Sequence, residues 1–425
     1  VLAPVEAVLQ EVVVTPLRRE GAANVTAGHH TALPSDLRRV PGPGGGGDLA
    51  GYLSTLPGVV SPGDRGGQFF VRGGEPFHNL VLFDGMPIYE PFHLVGFYSL
   101  FPADVVSRAS LHAGGYGVKY GGRLSSVLDV TSRDGDKRRF GGAVGIAPVV
   151  STARIEGPIV PGRVSVLASL RQSVVEHGAA RLVRQPLPFS FGDVFLKAHA
   201  AVTPNAQLGA TVLRSYDRGT LGTGIDAPEV QWTNEAAGLR YVFLPVRLPV
   251  SAEVVANGSR MRGRHVAAGV EDRTAEVAQI NAQADAVYYT GFADLQAGLF
   301  VRTFFLSNEL SGMFLDATSM QEYVTEAGGY VAPVFSPGAG ILVEPGLRMQ
   351  HYPSKGRGFV EPRLRLSWEN ARHRVSAAAG VYHQQVVGLR DKRDATGVFT
   401  AWTASPQGEV SAATHYLLAY QLHAA

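Results

Sequence analysis

The sequence contains no cysteine, which excludes disulfide bonds and thiolate metal sites and is compatible with an oxidising compartment. It also has no run of about 18 consecutive apolar residues, so we expect no transmembrane helix. Its 38 Lys and Arg residues nearly balance its 36 Asp and Glu residues, and the net charge is only +2. Such a chain lacks the excess of positive charge that binds nucleic acid, and we predict no nucleic-acid partner.

Recognised catalytic patterns are also missing. The chain has no Gly-x-Ser-x-Gly, His-Glu-x-x-His or Walker-type sequence. The glycine-rich segment 41–47 has no strand before it and no helical periodicity after it, so it is a linker and not a phosphate-binding loop. The histidines lack metal-ligand spacing, and we expect His29 and His30 to lie in a mobile segment. We therefore predict a protein that is not an enzyme and has no catalytic residue, no cofactor and no resident metal.

What the chain has instead is repeated alternation of apolar and polar residues beyond Phe140. The alternation spans residues 193–202, 278–288, 293–302 and 361–369. Period two over about ten residues predicts β-strands with one apolar and one polar face. These strands are about 10–12 residues long, close to the length that crosses a bilayer. Strands of soluble proteins are mostly about 5–6 residues long.

Turns and loops differ in length within the same part of the chain. Short turns at 203–205 and 336–338 alternate with long polar loops at 172–189, 217–231 and 387–413. Short turns at one end and long loops at the other are typical of outer-membrane barrels. We count about 14 strands in this part. A soluble β-sandwich would show the same alternation and is the alternative.

Before this part, the sequence predicts one helix and a small mixed sheet. Asp48 is a good N-cap, and the three leucines that follow have the i, i+4, i+7 spacing of a short helix that ends at Pro57-Gly58. These leucines are Leu49, Leu53 and Leu56. Four β-prone runs then follow between glycine-rich turns, at residues 68–72, 80–83, 106–112 and 127–131.

Several segments of this region occur in a characteristic order. They are Leu56-Pro57-Gly58-Val59, Gln68-Phe69-Phe70-Val71-Arg72-Gly73-Gly74, Asn79-Leu80-Val81-Leu82-Phe83-Asp84-Gly85-Met86-Pro87-Ile88-Tyr89, Gly114-Gly115-Tyr116 and Tyr120-Gly121-Gly122-Arg123-Leu124-Ser125-Ser126-Val127-Leu128-Asp129-Val130. In kind, order and spacing they resemble the plug domain of TonB-dependent outer-membrane receptors. The resemblance implies a mainly β fold in which a small α+β plug domain lies inside an antiparallel transmembrane β-barrel.

The resemblance also implies a division of the chain. We predict an N-terminal periplasmic segment at 1–47, a plug domain at 48–139 and a transmembrane β-barrel at 140–425. The family's barrels have 22 strands, so about 14 strands predict an incomplete barrel and a truncated chain, with a complete small barrel as the alternative. Four short segments are similar to barrel strands of plug-containing receptors in Bacteroidetes-like bacteria: Glu156-Gly157-Pro158, Ser169-Leu170-Arg171, Glu361-Pro362-Arg363 and Tyr382-His383-Gln384.

A β-prone run near the N-terminus resembles the segment with which such receptors bind TonB. It consists of Glu11, Val12, Val13, Val14 and Thr15. The mode of binding would be addition of a strand, in which main-chain hydrogen bonds supply the affinity. An ordinary edge strand would have the same composition and is the alternative.

Other residues match the family's plug motifs, and the resemblance implies an architectural role for them. They are Arg72, Gly73, Asp84, Gly85, Gly114 and Gly121. Arg72 would pair with carboxylates at the boundary of plug and barrel, because a buried guanidinium without partners costs several kcal/mol. Asp84 would cap a turn in which Gly85 supplies a positive φ.

Two aromatic-rich plug loops are candidates for ligand contact. They contribute Glu75, Phe77, His78, Asn79, Tyr89, Phe92, His93 and Tyr98. Aromatic rings with interspersed polar groups suit a sugar, a siderophore or a peptide. Packing of the plug against the barrel is the alternative role for these side chains.

The resemblance implies a receptor of the bacterial outer membrane with its N-terminus in the periplasm. Its partners would be TonB, with the inner-membrane energising complex, and outer-membrane lipid. The function would be energy-coupled uptake of a scarce siderophore, vitamin or oligosaccharide. A surface-binding or adhesion barrel and a porin-like barrel, both without energy coupling, are the alternatives.

Overall fold

The structure, a computed structural model, describes residues 27–40, 47–60, 68–93, 96, 98–147, 149–174, 189–220, 228–266, 272–310, 319–390, 399–405 and 409–422. Within these ranges no helix has the length and apolar character needed to cross a membrane. The predicted TonB-binding run, residues 11–15, lies outside the described residues.

Two short helices lie near the start of the described part of the plug. Helix α1 spans Pro34–Arg39 and helix α2 spans Leu49–Ser54. The predicted cap of α2 is present, since Asp48 Oδ1 accepts a hydrogen bond from the backbone N–H of Ala50 over 2.8 Å. Leu49 and Leu53 on this helix are buried in the plug core. Two single 3₁₀ turns occur at Pro76–His78 and Pro353–Lys355.

Seven short strands form the sheets of the plug. They are β1 (His29–Ala32), β2 (Val59–Val60), β3 (Phe70–Val71), β4 (Asn79–Phe83), β5 (Met86–Pro87), β6 (Val106–His112) and β7 (Ser126–Ser132). Five of them make a mixed sheet in the order β1-β6-β7-β4-β5, in which β4 and β7 are parallel. The strands β2 and β3 form a separate antiparallel pair.

Strand β1 corrects one expectation. His29 and His30, which we expected in a mobile segment, pair with His112 and Leu111 of β6. The ring of His29 stacks on that of His112 with 4.3 Å between the ring centres. A segment that we placed before the plug thus supplies an edge strand of the plug sheet.

Most of the remaining described strands are long. The set consists of β8 (Gly141–Ile146), β9 (Val150–Val160), β10 (Val164–Ser173), β11 (Phe189–Thr203), β12 (Ala206–Thr220), β13 (Glu229–Phe243), β14 (Val250–Val266), β15 (Arg273–Tyr289), β16 (Ala293–Glu309), β17 (Ser319–Gly338), β18 (Ile341–Tyr352), β19 (Arg357–Glu369), β20 (His373–Gln384), β21 (Val386–Leu389), β22 (Ala401–Ala404) and β23 (Ser411–Leu422). Strands β8, β21 and β22 are short. In the described part of the chain, β8 to β20 and β23 form one antiparallel sheet of 14 strands. The predicted number of strands is confirmed, and the two-sheet sandwich is wrong.

The two faces of this sheet differ as the alternation predicts. On β15, Ile280 is 72% exposed, whereas its neighbours Gln279 and Asn281 are buried. The same holds on β11, where Leu196 faces outward and Lys197 is buried against the plug. The sheet therefore turns an apolar face outward and wraps a polar face around the plug.

A hairpin of β21 and β22 lies inside this sheet. We expected a polar loop at 387–413, but Val386 and Trp402 are buried against inward-facing apolar side chains of β14 to β17. Phe77 and Tyr89 of the plug pack against the same cluster. The loop prediction is wrong for this hairpin because its apolar residues find a buried surface at the top of the plug.

Phe83 provides a test of how the plug core is coupled to the barrel. Its ring is fully buried and lies 5.0 Å from the ring of Phe101 and 5.5 Å from the ring of Phe195 on β11. We expect Phe83→Ala to lower the local stability of the plug by about 3–5 kcal/mol, because it leaves a cavity in a packed core. Hydrogen exchange in β4 and β7 of the detergent-solubilised protein measures this loss.

Val60→Ala is the matched control for this substitution, since Val60 is 62% exposed in the same plug. It should change the free energy of opening by no more than about 0.5 kcal/mol. Equal exchange rates in the Phe83→Ala and Val60→Ala variants would show that the Phe83 contact does not hold the plug to the barrel.

Candidate functional site: the boundary of plug and barrel

The Asp84-Gly85 turn joins β4 to β5 and touches the barrel wall. Both residues have positive φ, 49° and 82°, as a two-residue hairpin turn of this hand requires. Asp84 Oδ1 accepts from the backbone N–H of Ser132 over 2.8 Å, and Oδ2 accepts from the Thr211 hydroxyl over 3.0 Å. Lys197 Nζ lies 3.4 Å from the same Oδ2. The turn is thus bonded to β7 of the plug and to β11 and β12 of the barrel.

The Arg72-Gly73 turn has the same backbone form, with φ of 49° and 77°. The backbone N–H of Arg72 donates to the Gly58 carbonyl oxygen over 2.7 Å. The side chain of Arg72 is exposed, and among the described residues it forms no ion pair with a carboxylate. The carboxylate partner that we expected is therefore not observed there, because water can solvate this guanidinium.

Three buried guanidinium groups of the barrel contact the plug instead. Arg302 on β16, Arg348 on β18 and Arg363 on β19 reach the plug loop between β6 and β7. We call residues 116–122 of this loop the carbonyl loop, because its main-chain oxygens accept the hydrogen bonds. The distances are 3.0 Å from Arg302 Nη1 to Gly121 O, 3.0 Å from Arg348 Nη1 to Val118 O, and 2.7 Å from Arg363 Nη1 to both Gly117 O and Tyr120 O.

Carboxylates and aromatic rings of the barrel hold these arginines in place. Glu361 Oε2 lies 2.6 Å from Arg363 Nη2, and both side chains are almost completely buried. The guanidinium carbon of Arg348 lies 3.8 Å from the centre of the Phe300 ring. Buried cations with a carboxylate, an aromatic face and fixed carbonyls are strongly oriented. The carbonyl loop is therefore bound by preformed donors on one side of the barrel.

Gly114 and Gly121 lie in the loop between β6 and β7, at positions where a side chain would not fit without strain. Gly114 has φ of 81°, and a Cβ at Gly121 would lie 2.3 Å from Arg348 Nε. The first position favours glycine through its backbone conformation, and the second through close approach of a buried side chain. Both geometries support the architectural role that we predict for these glycines.

A second cluster of buried charges surrounds His93 at the other side of the plug. His93 Nδ1 lies 2.9 Å from Asp217 Oδ2, and Nε2 lies 3.0 Å from Asp193 Oδ2. Arg171 Nε donates to the same oxygen of Asp193 over 2.6 Å, and Arg171 Nη1 lies 3.3 Å from Asp48 Oδ2. Burial disfavours charge on the imidazole, but the two carboxylates outweigh it and raise the pKa of His93 to about 9. The N-cap of α2 and the apex of the plug are thus tied to β10, β11 and β12.

Four of the candidate ligand residues are buried by protein. Asn79 donates to the Phe69 carbonyl oxygen over 2.9 Å, and Phe92 packs edge-on against the Phe69 ring at 5.4 Å. Tyr98 lies 5.4 Å from the ring of Phe191, and His93 belongs to the charge cluster. These contacts agree with the packing alternative, and ligand contact by these residues stays a prediction.

The other four lie beneath or beside the hairpin of β21 and β22. Tyr89 donates its hydroxyl to Gln279 Oε1 over 2.8 Å and meets the Trp402 ring edge-on at 5.0 Å. Phe77 packs against the same apolar cluster, and His78 Nδ1 accepts from the backbone N–H of Glu75 over 3.2 Å. Of the eight candidates Glu75 has the most exposed side chain, with 48% exposure and Arg390 Nη1 at 3.6 Å. Contact of a ligand with the Tyr89 and Phe77 rings requires the hairpin to move.

Sequence reasoning missed the barrel residues of both charge clusters. A signal was present, because Arg363 alternates with apolar residues of β19 and had to face inward. Arg171, Asp193 and Asp217 likewise lie at inward positions of their strands. What the pattern did not supply was the partner of each charge, which depends on how the plug sits in the barrel. Within the described residues, no group of three or more His, Asp or Glu side chains is arranged to hold a metal ion.

Removing one arginine tests whether the barrel arginines stabilise the carbonyl loop. Arg363→Met removes one buried donor from the carboxylate of Glu361 and from three plug carbonyls. We expect the loop to lose about 3–5 kcal/mol of local stability, the typical result of breaking a buried ion pair. Hydrogen exchange over residues 113–124 measures the loss.

Arg214→Met is the control, because Arg214 is 67% exposed and pairs with the half-exposed Glu235 over 3.5 Å. That substitution should cost less than about 1 kcal/mol. If residues 113–124 exchange hydrogen at the same rate in the Arg363→Met and Arg214→Met variants, the arginines do not anchor the plug.

The His93 cluster predicts a dependence on pH. Because the pKa of His93 in the folded protein lies above its ordinary value of 6.5, its contribution to stability is complete below pH 6.5 and is lost as the pH rises through about 9. Burial also raises the pKa of Glu90 to about 8, so its contribution disappears over an overlapping range. We expect the thermal midpoint to fall between pH 6.5 and 9.5, with a smaller slope in His93→Gln and in Glu90→Gln. An unchanged slope in His93→Gln would contradict the assignment of charge to the imidazole.

Comparisons with known proteins agree with this geometry. Residues 43–126 match the family model of the TonB-dependent Receptor Plug Domain. A search of the curated proteins found no significant match. The two plug glycines 114 and 121 and the carbonyl loop lie within the matched range.

Solved structures with the same fold are outer-membrane receptors or siderophore receptors by name. The siderophore receptor PirA from Acinetobacter baumannii superposes with a TM-score of 0.70 at 13% identity, over 94% of this chain and 69% of that one. A variant of the ferric enterobactin receptor PfeA from Pseudomonas aeruginosa gives 0.66 at 16% identity, over 96% and 73%. The ferric yersiniabactin uptake receptor FyuA from Yersinia pestis gives 0.67 at 13% identity, over 94% and 70%. Residues 43–126 thus match a TonB-dependent receptor plug domain, and the described chain has the fold of these solved siderophore receptors.

Proposed function

We propose that this protein takes up a scarce ligand across the bacterial outer membrane with energy supplied through TonB. The observation that carries the proposal is a plug domain held inside a barrel sheet by buried charges and hydrogen bonds. Polar contacts of this kind are directional, and each one broken is replaced by water once the plug moves. Such a plug is suited to reversible rearrangement rather than to permanent closure.

The energy would enter through the N-terminal segment. We propose that Glu11 to Thr15 add a strand to TonB, which is driven by the inner-membrane energising complex, and that this segment lies in the periplasm. The short turns of the barrel, such as 161–163 and 204–205, would then be periplasmic and the long loops would face the outside. The chain segments 1–47, 48–139 and 140–425 are our proposed functional units, with residues 29–32 of the first segment added to the plug sheet.

A siderophore is the best-supported ligand, because the structural relatives named above are siderophore receptors. A vitamin or an oligosaccharide is the alternative ligand, because the plug loops combine aromatic rings with polar groups. Ligand would bind from the outside on the plug apex between Glu75 and Asn79 and between Tyr89 and Tyr98, after displacement of the β21–β22 hairpin.

One alternative is a surface-binding or adhesion barrel whose plug never opens. The β21–β22 hairpin supports this alternative, because Trp402 is buried and packs over the plug loops that contain Phe77 and Tyr89. A passive porin agrees less well, because the plug fills the space within the sheet.

Deletion of residues 11–15 separates these functions. We expect cells that carry the deletion to lose uptake of radioactive-iron siderophores, ferric enterobactin among them, and of labelled cobalamin, while surface binding of the transported probe is kept. The expected loss is at least tenfold, because binding without energy transfer does not release the ligand inward.

The matched control deletes residues 21–25 from the same segment and should retain uptake. Uptake that is equal in the two deletion strains would exclude coupled import. Binding without uptake in the undeleted strain would instead support the surface-binding alternative.

A further inference from the structure

Three cavities line one side of the boundary between plug and barrel. The smallest, about 20 Å³, lies under the hairpin, against Tyr89 and Trp402. The next, about 80 Å³, lies between β4 of the plug and the inner face of β13 to β16. The third, about 450 Å³, lies beside residues 131–138 and β11 to β13.

These cavities adjoin one another. The first and second share Leu80, Pro87 and Arg123 in their walls. The second and third share Asp84, Thr131 and Arg240. Together they run from the end of the barrel that carries the hairpin to the end that carries the short turns. We call this line of cavities the seam.

The wall of the seam is polar where it is narrow. Strand β15 lines it with Gln279, Asn281 and Gln283, which alternate on the inward face. Two buried atoms in this wall, Asn281 Oδ1 and Arg123 Nε, have no hydrogen-bond partner among the described residues. Buried polar atoms are nearly always satisfied, so atoms of this kind beside a cavity indicate bound water or a polar solute. The 80 Å³ cavity has room for several water molecules.

Lys119 closes the middle of the seam. Its Nζ lies 3.5 Å from Glu253 Oε2 on β14 and 3.4 Å from Asp285 Oδ2 on β15. Arg240 Nε donates to the other oxygen of Glu253 over 2.5 Å. Lys119 is thus a charged contact of the plug with this wall, beside hydrogen bonds such as Asn257 Nδ2 to Gly85 O, and its side chain can swing without unfolding of the main chain.

The other sides of the plug are bound much more tightly. The carbonyl loop is held by arginines of β16, β18 and β19, and the His93 cluster ties the apex to β10 to β12. Along β13 to β15 the cavities lie between plug and wall, and hydrogen bonds such as Tyr89 to Gln279 cross beside them.

We propose that the seam is a path for small hydrophilic, hydrogen-bonding solutes and that Lys119 is its gate residue. The side-chain amides of β15 each offer hydrogen-bond donors and acceptors. The charges of Lys119, Glu253 and Asp285 cancel in part. The wall therefore suits neutral polyhydroxyl groups better than apolar ones. Transport through this path rests on the proposed function, whereas the existence of the path does not.

The absence of cysteine allows the path to be tested by labelling single cysteines in the detergent-solubilised full chain. Asn281→Cys places the thiol in the seam. Gln350→Cys is its control, because Gln350 is a buried, inward-facing amide on β18, on the side held by the arginines. A small water-soluble methanethiosulfonate should modify Cys at position 281 at least tenfold faster than Cys at position 350.

A glucose-bearing methanethiosulfonate then tests the gate. Lys119→Met in the Asn281→Cys background should raise its rate at least tenfold, with a smaller effect on a benzyl reagent. Lys355→Met is the matched control, because Lys355 has the same side-chain exposure of 27% and pairs with Glu322 over 3.7 Å in a turn away from the seam. Glu253→Gln and Asp285→Asn, which weaken the same contact from the barrel, should act in the same direction as Lys119→Met.

Equal rates at positions 281 and 350 would overturn the path. Equal rates of the glucose reagent in Lys119→Met and Lys355→Met, with no effect of Glu253→Gln, would overturn the gate. Labelling requires neither TonB nor ligand, so unchanged uptake on deletion of residues 11–15, which would contradict the proposed function, leaves the labelling result unaffected.

Discussion

The structure depends on how a polar plug is held in the polar interior of a barrel. The carbonyl loop turns main-chain oxygens towards the barrel, and buried guanidinium groups of Arg302, Arg348 and Arg363 donate to them. Loss of either side of these contacts would leave buried polar groups without part of their hydrogen bonds. Mutual satisfaction of these groups fixes the orientation of the plug.

The remaining contacts distribute unevenly around the plug. An apolar contact near Phe195 and the charged cluster of His93 bind it on one side, and the arginines bind it on another. Between them, the wall formed by β13 to β15 meets the plug through Lys119 and hydrogen bonds such as Tyr89 to Gln279, with a line of cavities beside these contacts. A plug fixed in this way can remain attached while one edge separates, which joins the stability of the fold to its proposed transport function.

Much of the fold follows from local patterns in the sequence. Period-two alternation gave the inward and outward faces correctly at Gln279, Ile280 and Asn281, because a strand must place successive side chains on opposite faces. Asp48 and Asp84-Gly85 were recognised from cap and turn chemistry that depends on a few neighbouring residues. The partners of His93, Arg363 and Lys119 could not be predicted, because they lie about 100 or more positions away and are set by the docking of plug in barrel. The buried hairpin around Trp402 was missed for the same reason, since only the surface beneath it explains its apolar side chains.

Pulling on the N-terminal segment of single molecules, through a cysteine introduced before residue 11, tests most directly whether the plug is anchored unevenly. Our account predicts stepwise extension, in which the chain up to about residue 112 is released before the arginine-held carbonyl loop and β7. The late step should occur at lower force in Arg363→Met. Release of the whole plug through residue 132 in one step, at a force that Arg363→Met does not change, would contradict the account.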